Sequence, residues 1–463
     1  MNATVKVDFT RPTGKKVQPL HGFNSGPMTK VFTYDARPLF VEGGFSYVRL
    51  HDSEYPFGSG EFIDIPCIFK NFDADENDPA SYNFGNTDEY IRQCRNVGCN
   101  IIYRLGVSIE HSPVKRYTDP PKDFAKWARI CEHIIRHYNE GWADGHHWNM
   151  EYWEIWNEPD LDRETDNKRC WSGTAAEFAE FYTVAARHLK SCFPHLKIGG
   201  CGFSSVRNPF IEDFFKDISA RTPRVPMDFY TWHRYKGVAA AFAEGAQIVR
   251  NLLTEFGYGE VESILDEWNM VYGWDRENQA ESYRAIKDQR GAAFYAAVLC
   301  TLQENTDVCI ATQFEADVVK EFCGVFNVKD MCIGGLIYGS AKLAELEPTK
   351  GFYAFKSFNN LYRLGTCVQT GCDTEGVFAT AAAGEAGVGV LLSNQSGEQT
   401  ETALELTGVC GEIVVRLTDA THTNERLMRI SAGESVKLTL PMEPHSFAYV
   451  GTDLPDPVPT YEI

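Results

Sequence analysis

Short apolar runs alternate along this chain with longer stretches that place apolar residues at helical spacing. Runs of β-branched, aromatic and aliphatic residues bounded by polar groups read as buried strands. Eight of them occupy 20–24, 45–52, 99–105, 152–156, 196–200, 227–235, 263–269 and 307–314. Helical spacing fills 87–96, 123–138, 240–256 and a long stretch over 279–304. Thr174-Ala175-Ala176-Glu177 has the form of a capping box, and Phe178, Phe181, Tyr182, Ala185 and Leu189 line one face of the helix it opens. Strands separated by helices predict a parallel sheet with crossover connections. Eight units over roughly 300 residues fit a closed (β/α)8 barrel. A doubly wound open sheet is the competing topology, and it more often carries a Gly-rich phosphate turn after an early strand. No G-x-G-x-x-G or Walker pattern is present.

The pattern changes near residue 366. Short β-rich runs at 377–380, 387–392, 402–406, 412–417, 434–440 and 446–450 are separated by Gly, Asn, Asp and Ser clusters, the spacing of an antiparallel β-sandwich. Ala3, Val5, Val7 and Phe9 alternate with polar residues, so the N-terminus predicts a half-buried strand that pairs with this tail. The expected fold class is α/β: a (β/α)8 TIM barrel over 14–340, with a β-sandwich accessory domain built from 1–13 plus 341–463. Its expected role is to support the barrel; glycan binding is the sharper alternative.

Charge and composition narrow the function. With 64 acidic against 44 basic residues the net charge is −20, which disfavours nucleic acid and anionic membrane surfaces as partners. No run approaches a membrane span. Met1-Asn2-Ala3-Thr4-Val5-Lys6 has no apolar signal core, so a cytoplasmic location is expected. The 14 cysteines fit no paired C-x2-C pattern and read as reduced thiols. Gly145-His146-His147 invites a metal reading, but the loop offers no partner at ligand spacing; no metal and no cofactor are expected. Oligomeric state is not legible.

The chemistry collects at strand ends. Tyr152-Trp153-Glu154-Ile155-Trp156 climbs to Asn157-Glu158, and Pro159 stops the ladder. Ile264-Leu265-Asp266-Glu267-Trp268-Asn269 repeats the arrangement. In a barrel these are strands four and seven, and both carboxylates reach the C-terminal face, where such folds carry catalysis. Two carboxylates across a cleft are what glycosidic bond cleavage requires, one to protonate the leaving oxygen and one to attack the sugar. Asn157 is placed to bond a substrate hydroxyl, and His233 and Tyr235, at the end of strand six, are polar neighbours for Glu267.

Trp156-Asn157-Glu158-Pro159, Asp266-Glu267-Trp268-Asn269 and Trp232-His233-Arg234-Tyr235 resemble the clan of retaining (β/α)8 glycoside hydrolases, and within it family 39, the β-xylosidase and α-L-iduronidase family. His21-Gly22-Phe23-Asn24, Val48-Arg49-Leu50-His51 and Gly351-Phe352-Tyr353-Ala354-Phe355-Lys356 support the likeness. The resemblance implies that Glu158 is the acid/base, Glu267 the nucleophile and Asn157 a substrate-binding partner. It also implies that His51, His233 and Tyr235 surround the sugar. The chain departs from the family at strand eight, where Ala311-Thr312-Gln313-Phe314-Glu315 replaces a Trp-bearing run, and at Asp52, where a small residue is common. Both bear on which sugar is chosen.

Trp268 and Phe314 are candidate stacking platforms or lid packing. Arg49 is a candidate substrate contact or a buried ion-pair holder of the barrel interior. Glu315 and Glu321 read as solvated loop charges. The expected activity is that of a retaining exo-glycosidase on an oligosaccharide or glycoside, β-xylosidase-like first. α-L-Arabinosidase, β-glucosidase or β-galactosidase, and α-L-iduronidase are alternatives; the last needs a cationic clamp from Arg104, Arg234 or Lys320. A non-catalytic glycan-binding barrel is the alternative of another class.

Overall fold

The computed structural model describes residues 1–27, 34–53, 62–318, 320–330, 345–409 and 411–458. The strands are β1 (Asn2–Lys16), β2 (Gly22–Asn24), β3 (Tyr47–Leu50), β4 (Asn100–Leu105), β5 (Tyr152–Ile155), β6 (Lys197–Phe203), β7 (Phe229–Tyr235), β8 (Glu262–Asn269), β9 (Val308–Gln313), β10 (Phe326–Asp330) and β11 (Glu345–Pro348). The tail adds β12 (Thr366–Cys372), β13 (Val377–Gly384), β14 (Gly387–Asn394), β15 (Thr400–Thr407), β16 (Gly411–Thr418), β17 (Glu425–Ala432), β18 (Ser435–Met442) and β19 (Ser446–Gly451). The helices are α1 (Arg37–Gly43), α2 (Ile65–Ile68), α3 (Gly85–Asn96), α4 (Phe124–Glu140), α5 (Ala175–Cys192), α6 (Pro209–Ala220), α7 (Ala240–Glu255), α8 (Arg276–Ala285), α9 (Gln289–Asn305) and α10 (Lys350–Leu364).

Strands β2 to β9 close into a barrel in sequence order, all parallel, so all eight runs read as barrel strands take that place. Side chains that point inward stack in layers. Ile102, Tyr152, Phe229, Ile264 and Ile310 form an apolar floor. Two residues further along each strand the inward positions turn polar, at Arg104, Glu154, Thr231, Asp266 and Thr312, all buried. The site stands on this second layer.

The predicted capping box is present, with Thr174 and Glu177 bonded reciprocally. The stretch 279–304 is not one helix. Asp288 accepts from the Arg290 N–H and caps α9, which ends α8 and starts a second helix. The tail forms one nine-stranded curled sheet, β17-β16-β19-β14-β13-β12-β1-β15-β18, around its own apolar core of Val5, Val7, Val390, Leu392, Leu404 and Val415. β1 lies between β12 and β15 and pairs in parallel with β15, while the neighbouring pairs are antiparallel. It runs on to Lys16, past residue 13; the other expected boundary, 340/341, lies outside the described residues. The two units share packing: α9 and α10 lie against β13 and β14, and Ser393 Oγ donates to the Ala293 carbonyl at 2.7 Å. Among the described residues, no helix is long and apolar enough to cross a membrane.

Candidate active site

Glu158 follows β5, and its backbone is held in the left-handed region at φ 46°, as is Trp156 at 75°. Such backbone is uncommon outside glycine and persists only where surrounding structure enforces it. Here the Glu158 N–H donates to the Gly202 carbonyl at 2.8 Å, and Trp156 Nε1 donates to Cys170 O. Asp160 fixes the next turn. Its carboxylate accepts from the Ser204 N–H, Ser204 Oγ and Asn208 Nδ2 at 2.7–3.0 Å, and burial pushes it up to about 6.

Glu267 is delivered by a bulge. On β7, Trp232 pairs with Leu265 and His233 with Glu267, leaving Asp266 as the extra residue. A bulge re-aims side chains, so Asp266 and Glu267 both face the interior and Trp268 faces out. Trp268 is fully buried among Phe242, Phe294, Tyr295 and Phe355, with ring centroids 5.7–6.2 Å away. That corrects its reading as a stacking platform: it is packing between the barrel and its helices.

One oxygen of Glu158 and one of Glu267 lie, together with a ring nitrogen of His233, within 4.8 Å of one another. His233 Nδ1 is 2.8 Å from Glu158 Oε1 and 3.6 Å from Glu267 Oε1. Burial opposes charge on His233, but Glu267 and Asp266 outweigh it and raise its pKa well above the ordinary value. Tyr235 donates a 2.5 Å hydrogen bond to Glu267 Oε1, and Arg49 Nη1 donates to Oε2 at 3.1 Å. Burial pushes Glu267 up to about 7. His233 pulls it down, Glu158 adds repulsion, and Arg49 and Tyr235 pull it down again.

Arg49 lies beneath the pair and is fully buried. Its Nε is 2.8 Å from Glu154 Oε2 and from Asp266 Oδ2, Nη2 donates to Asn157 Oδ1 at 2.7 Å, and Nη1 also reaches Asn24 Oδ1. Burial opposes its charge, but Asp266, Glu154 and Glu267 raise its pKa. Of its two sequence readings, the geometry fits the ion-pair holder. Glu154 is pushed up to about 8 by burial, against Arg49, while Asp266 is pulled below the usual carboxylate range by Arg49 and His233 despite burial. Gly202, at φ 57°, makes room for this: a Cβ there would lie 2.9 Å from Arg49 Nη2 and 3.2 Å from Asn157 Oδ1.

Asn157 Nδ2 is buried and makes no hydrogen bond to a described residue, so this donor is available to a ligand. His51 is buried, 3.9 Å from Glu267 Oε2, with its ring against Phe314 at 6.3 Å. Burial and the nearby cations Arg49 and Arg104 depress its pKa well below the ordinary value, so it presents a neutral ring. Glu315 is buried rather than solvated. It accepts from Ser25 Oγ at 3.0 Å, and burial with Asp317 and Asp52 nearby pushes its pKa up. Glu321 is exposed, as read. Of the three proposed cations, Arg104 and Lys320 both act on His51 and Asp52. Arg234 leaves the cleft and donates to Ala241 O.

The Glycosyl hydrolases family 39 model matches residues 32–330, more than half of the chain. The chain belongs to this family. Glycoside hydrolase, the enzyme class read from the two glutamate motifs, is the class of family 39. In sequence the chain is similar to the beta-xylosidase of Geobacillus stearothermophilus, 26% identical over 362 residues, 71% of this chain. The match spans 65% of that relative's length. In structure the chain is similar to a glucosidase from Croceicoccus marinus, with TM-score 0.76, 23% identity, and 97% and 99% of the two chains covered. It is also similar to the GH39 enzyme from Xanthomonas axonopodis pv. citri, with TM-score 0.68, 17% identity, and 97% and 96% covered. These two likenesses concern the fold alone. Sequence reasoning missed Glu154, Asp266, Asn24 and Asp160. Glu154 had left a signal, a carboxylate at an inward position of a buried strand, which demands a cation.

Proposed function

We propose that this family 39 chain is a retaining exo-glycosidase acting by double displacement, with a β-xyloside first among its substrates. The observation that carries the reading is the Glu158–Glu267 approach within 4.8 Å. Retaining enzymes hold their carboxyl groups about 5–5.5 Å apart, whereas inverting enzymes leave about 6.5–9.5 Å for a water. Tyr235 and Arg49 donate to Glu267 and favour its ionised form, the form that attacks the anomeric carbon. Glu158 gives its proton to the leaving oxygen, then takes one from the water that releases the sugar. Asn157 Nδ2 and the neutral His51 bond sugar hydroxyls. The β-xyloside preference rests on the sequence relatives named beta-xylosidase.

A uronic acid glycone is the second reading. Arg104 Nε and Nη1 are buried without a hydrogen-bond partner among the described residues, and Arg104 and Lys320 act on the same corner of the cleft.

Glu267→Gln and Glu158→Ala should each abolish turnover of natural glycosides. Azide should restore Glu158→Ala on an activated aryl β-glycoside and yield the β-glycosyl azide. Near-wild-type turnover by either variant refutes the double displacement. A panel of nitrophenyl xyloside, arabinoside, glucoside, galactoside and uronide separates the two glycone readings.

A further inference from the structure

The loop rejected as a metal site from sequence has partners supplied by other elements. Asp88 stands in the first turn of α3, His137 in the last turn of α4, and His146 in the loop that leads into β5. One ligand atom from each lies within 4.8 Å of the others. His137 Nε2 is 3.0 Å from Asp88 Oδ1, and His146 Nε2 is 3.5 Å from Asp88 Oδ2. Ligand atoms about 2.0–2.1 Å from a tetrahedral zinc are about 3.3 Å from one another, and the two separations straddle that value.

The hydrogen bonds around the cluster suit a metal site. His137 Nδ1 is 2.9 Å from the Trp142 carbonyl and donates to it. Its other nitrogen, Nε2, is the one that faces Asp88. A ligating histidine whose other nitrogen is held by a backbone carbonyl is the usual outer support of a metal site. His146 Nε2 is buried and makes no hydrogen bond to a described residue.

Both rings are fixed. Phe84 stacks on His137 at 3.6 Å and Trp148 on His146 at 3.8 Å, each within 4° of parallel. The His146 N–H donates to His137 O at 2.6 Å. Gly145 permits this approach, since a Cβ there would lie 2.1 Å from that carbonyl and 2.7 Å from His137 Nδ1.

We propose that Asp88, His137 and His146 form a binding site for a divalent metal of zinc's class, remote from the cleft, which clamps α3 and α4 to the loop entering β5. His146 and Asp88 are each 21% exposed, which leaves a path for the ion and room for a water as fourth ligand.

The test uses the full chain stripped with EDTA, zinc chloride followed by calorimetry and thermal melting, and cobalt(II) followed by visible absorption. One zinc should bind, the melting temperature should rise with zinc concentration, and cobalt should give the intense visible bands of a tetrahedral site. His146→Ala and Asp88→Asn should each weaken zinc binding by at least about 100-fold, while their metal-free circular dichroism and melting match the parent. His188→Ala, which breaks the separate Glu132–His188–Cys192 cluster, and Glu267→Gln should keep the zinc effect. A parent that melts identically with and without zinc, or a His146→Ala variant with parental affinity and cobalt spectrum, overturns the proposal.

Discussion

Tyr235→Phe removes one hydroxyl and keeps a ring that packs on Trp274 and Phe322. That hydroxyl makes the 2.5 Å hydrogen bond to Glu267 Oε1 and works against the burial that pushes Glu267 up to about 7. A hydrogen bond to a charged group contributes about 1.5–3 kcal/mol, and one pKa unit corresponds to about 1.4 kcal/mol. Its loss therefore raises the Glu267 pKa by about 1–2 units. Attack needs the ionised carboxylate, so the acid limb of the pH profile moves to higher pH. At pH 7 the ionised fraction falls from roughly half to about a tenth or less, a loss of about fivefold or more that is recovered toward about pH 9. The assay is kcat/KM for a nitrophenyl glycoside, which reports the free enzyme, across about pH 5 to pH 9. An acid limb that stays in place, with the same loss at every pH, refutes the claim that Tyr235 keeps Glu267 ionised.

Trp268→Ala should cost about 3–5 kcal/mol of stability in denaturant melts, the range for deleting a buried aromatic side chain, and leave KM unchanged; a KM increase without a stability loss would restore the stacking-platform role. Arg49→Met leaves Glu154, Asp266 and Glu267 buried without their cation and should cost about 3–5 kcal/mol. Without Arg49 these carboxyls hold their protons to higher pH than in the unfolded chain. The deficit should therefore widen as pH rises, which unfolding followed at several pH values will reveal.

The barrel was legible because a buried parallel strand is an apolar run and its crossover helix has a different period. Each signal is local. β12 and β17 escaped for the converse reason. Thr366-Cys367-Val368-Gln369-Thr370-Gly371-Cys372 is weakly apolar, and its place in the sheet comes from pairing with β1, some 360 residues earlier. The split of 279–304 was written in Asp288, a capping residue, but apolar spacing that continued across it masked the break.

The site divides along a similar line. Glu158 and Glu267 are visible because each ends an apolar run, a property of its own strand. Of the groups that set their charge, His233 and Tyr235 end an apolar run of their own and are visible too, but the ion pairs beneath them are not, because their members meet only when the barrel closes. Arg49 on β3 finds Glu154 on β5 and Asp266 on β8 in one inward layer. Period-two counting upward from the floor residues Tyr152 and Ile264 reaches Glu154 and Asp266, so parity alone picks out the supporting carboxylates. It also assigns Glu267 to the outer face, with Trp268 inside. The bulge at Asp266 reverses that assignment, and a bulge is defined by two strands together. The nucleophile candidate thus owes its position to a bulge in its strand, and its ionisation to His233 on the neighbouring strand, helped by Tyr235 and by Arg49 three strands further round the barrel, beyond β9 and β2.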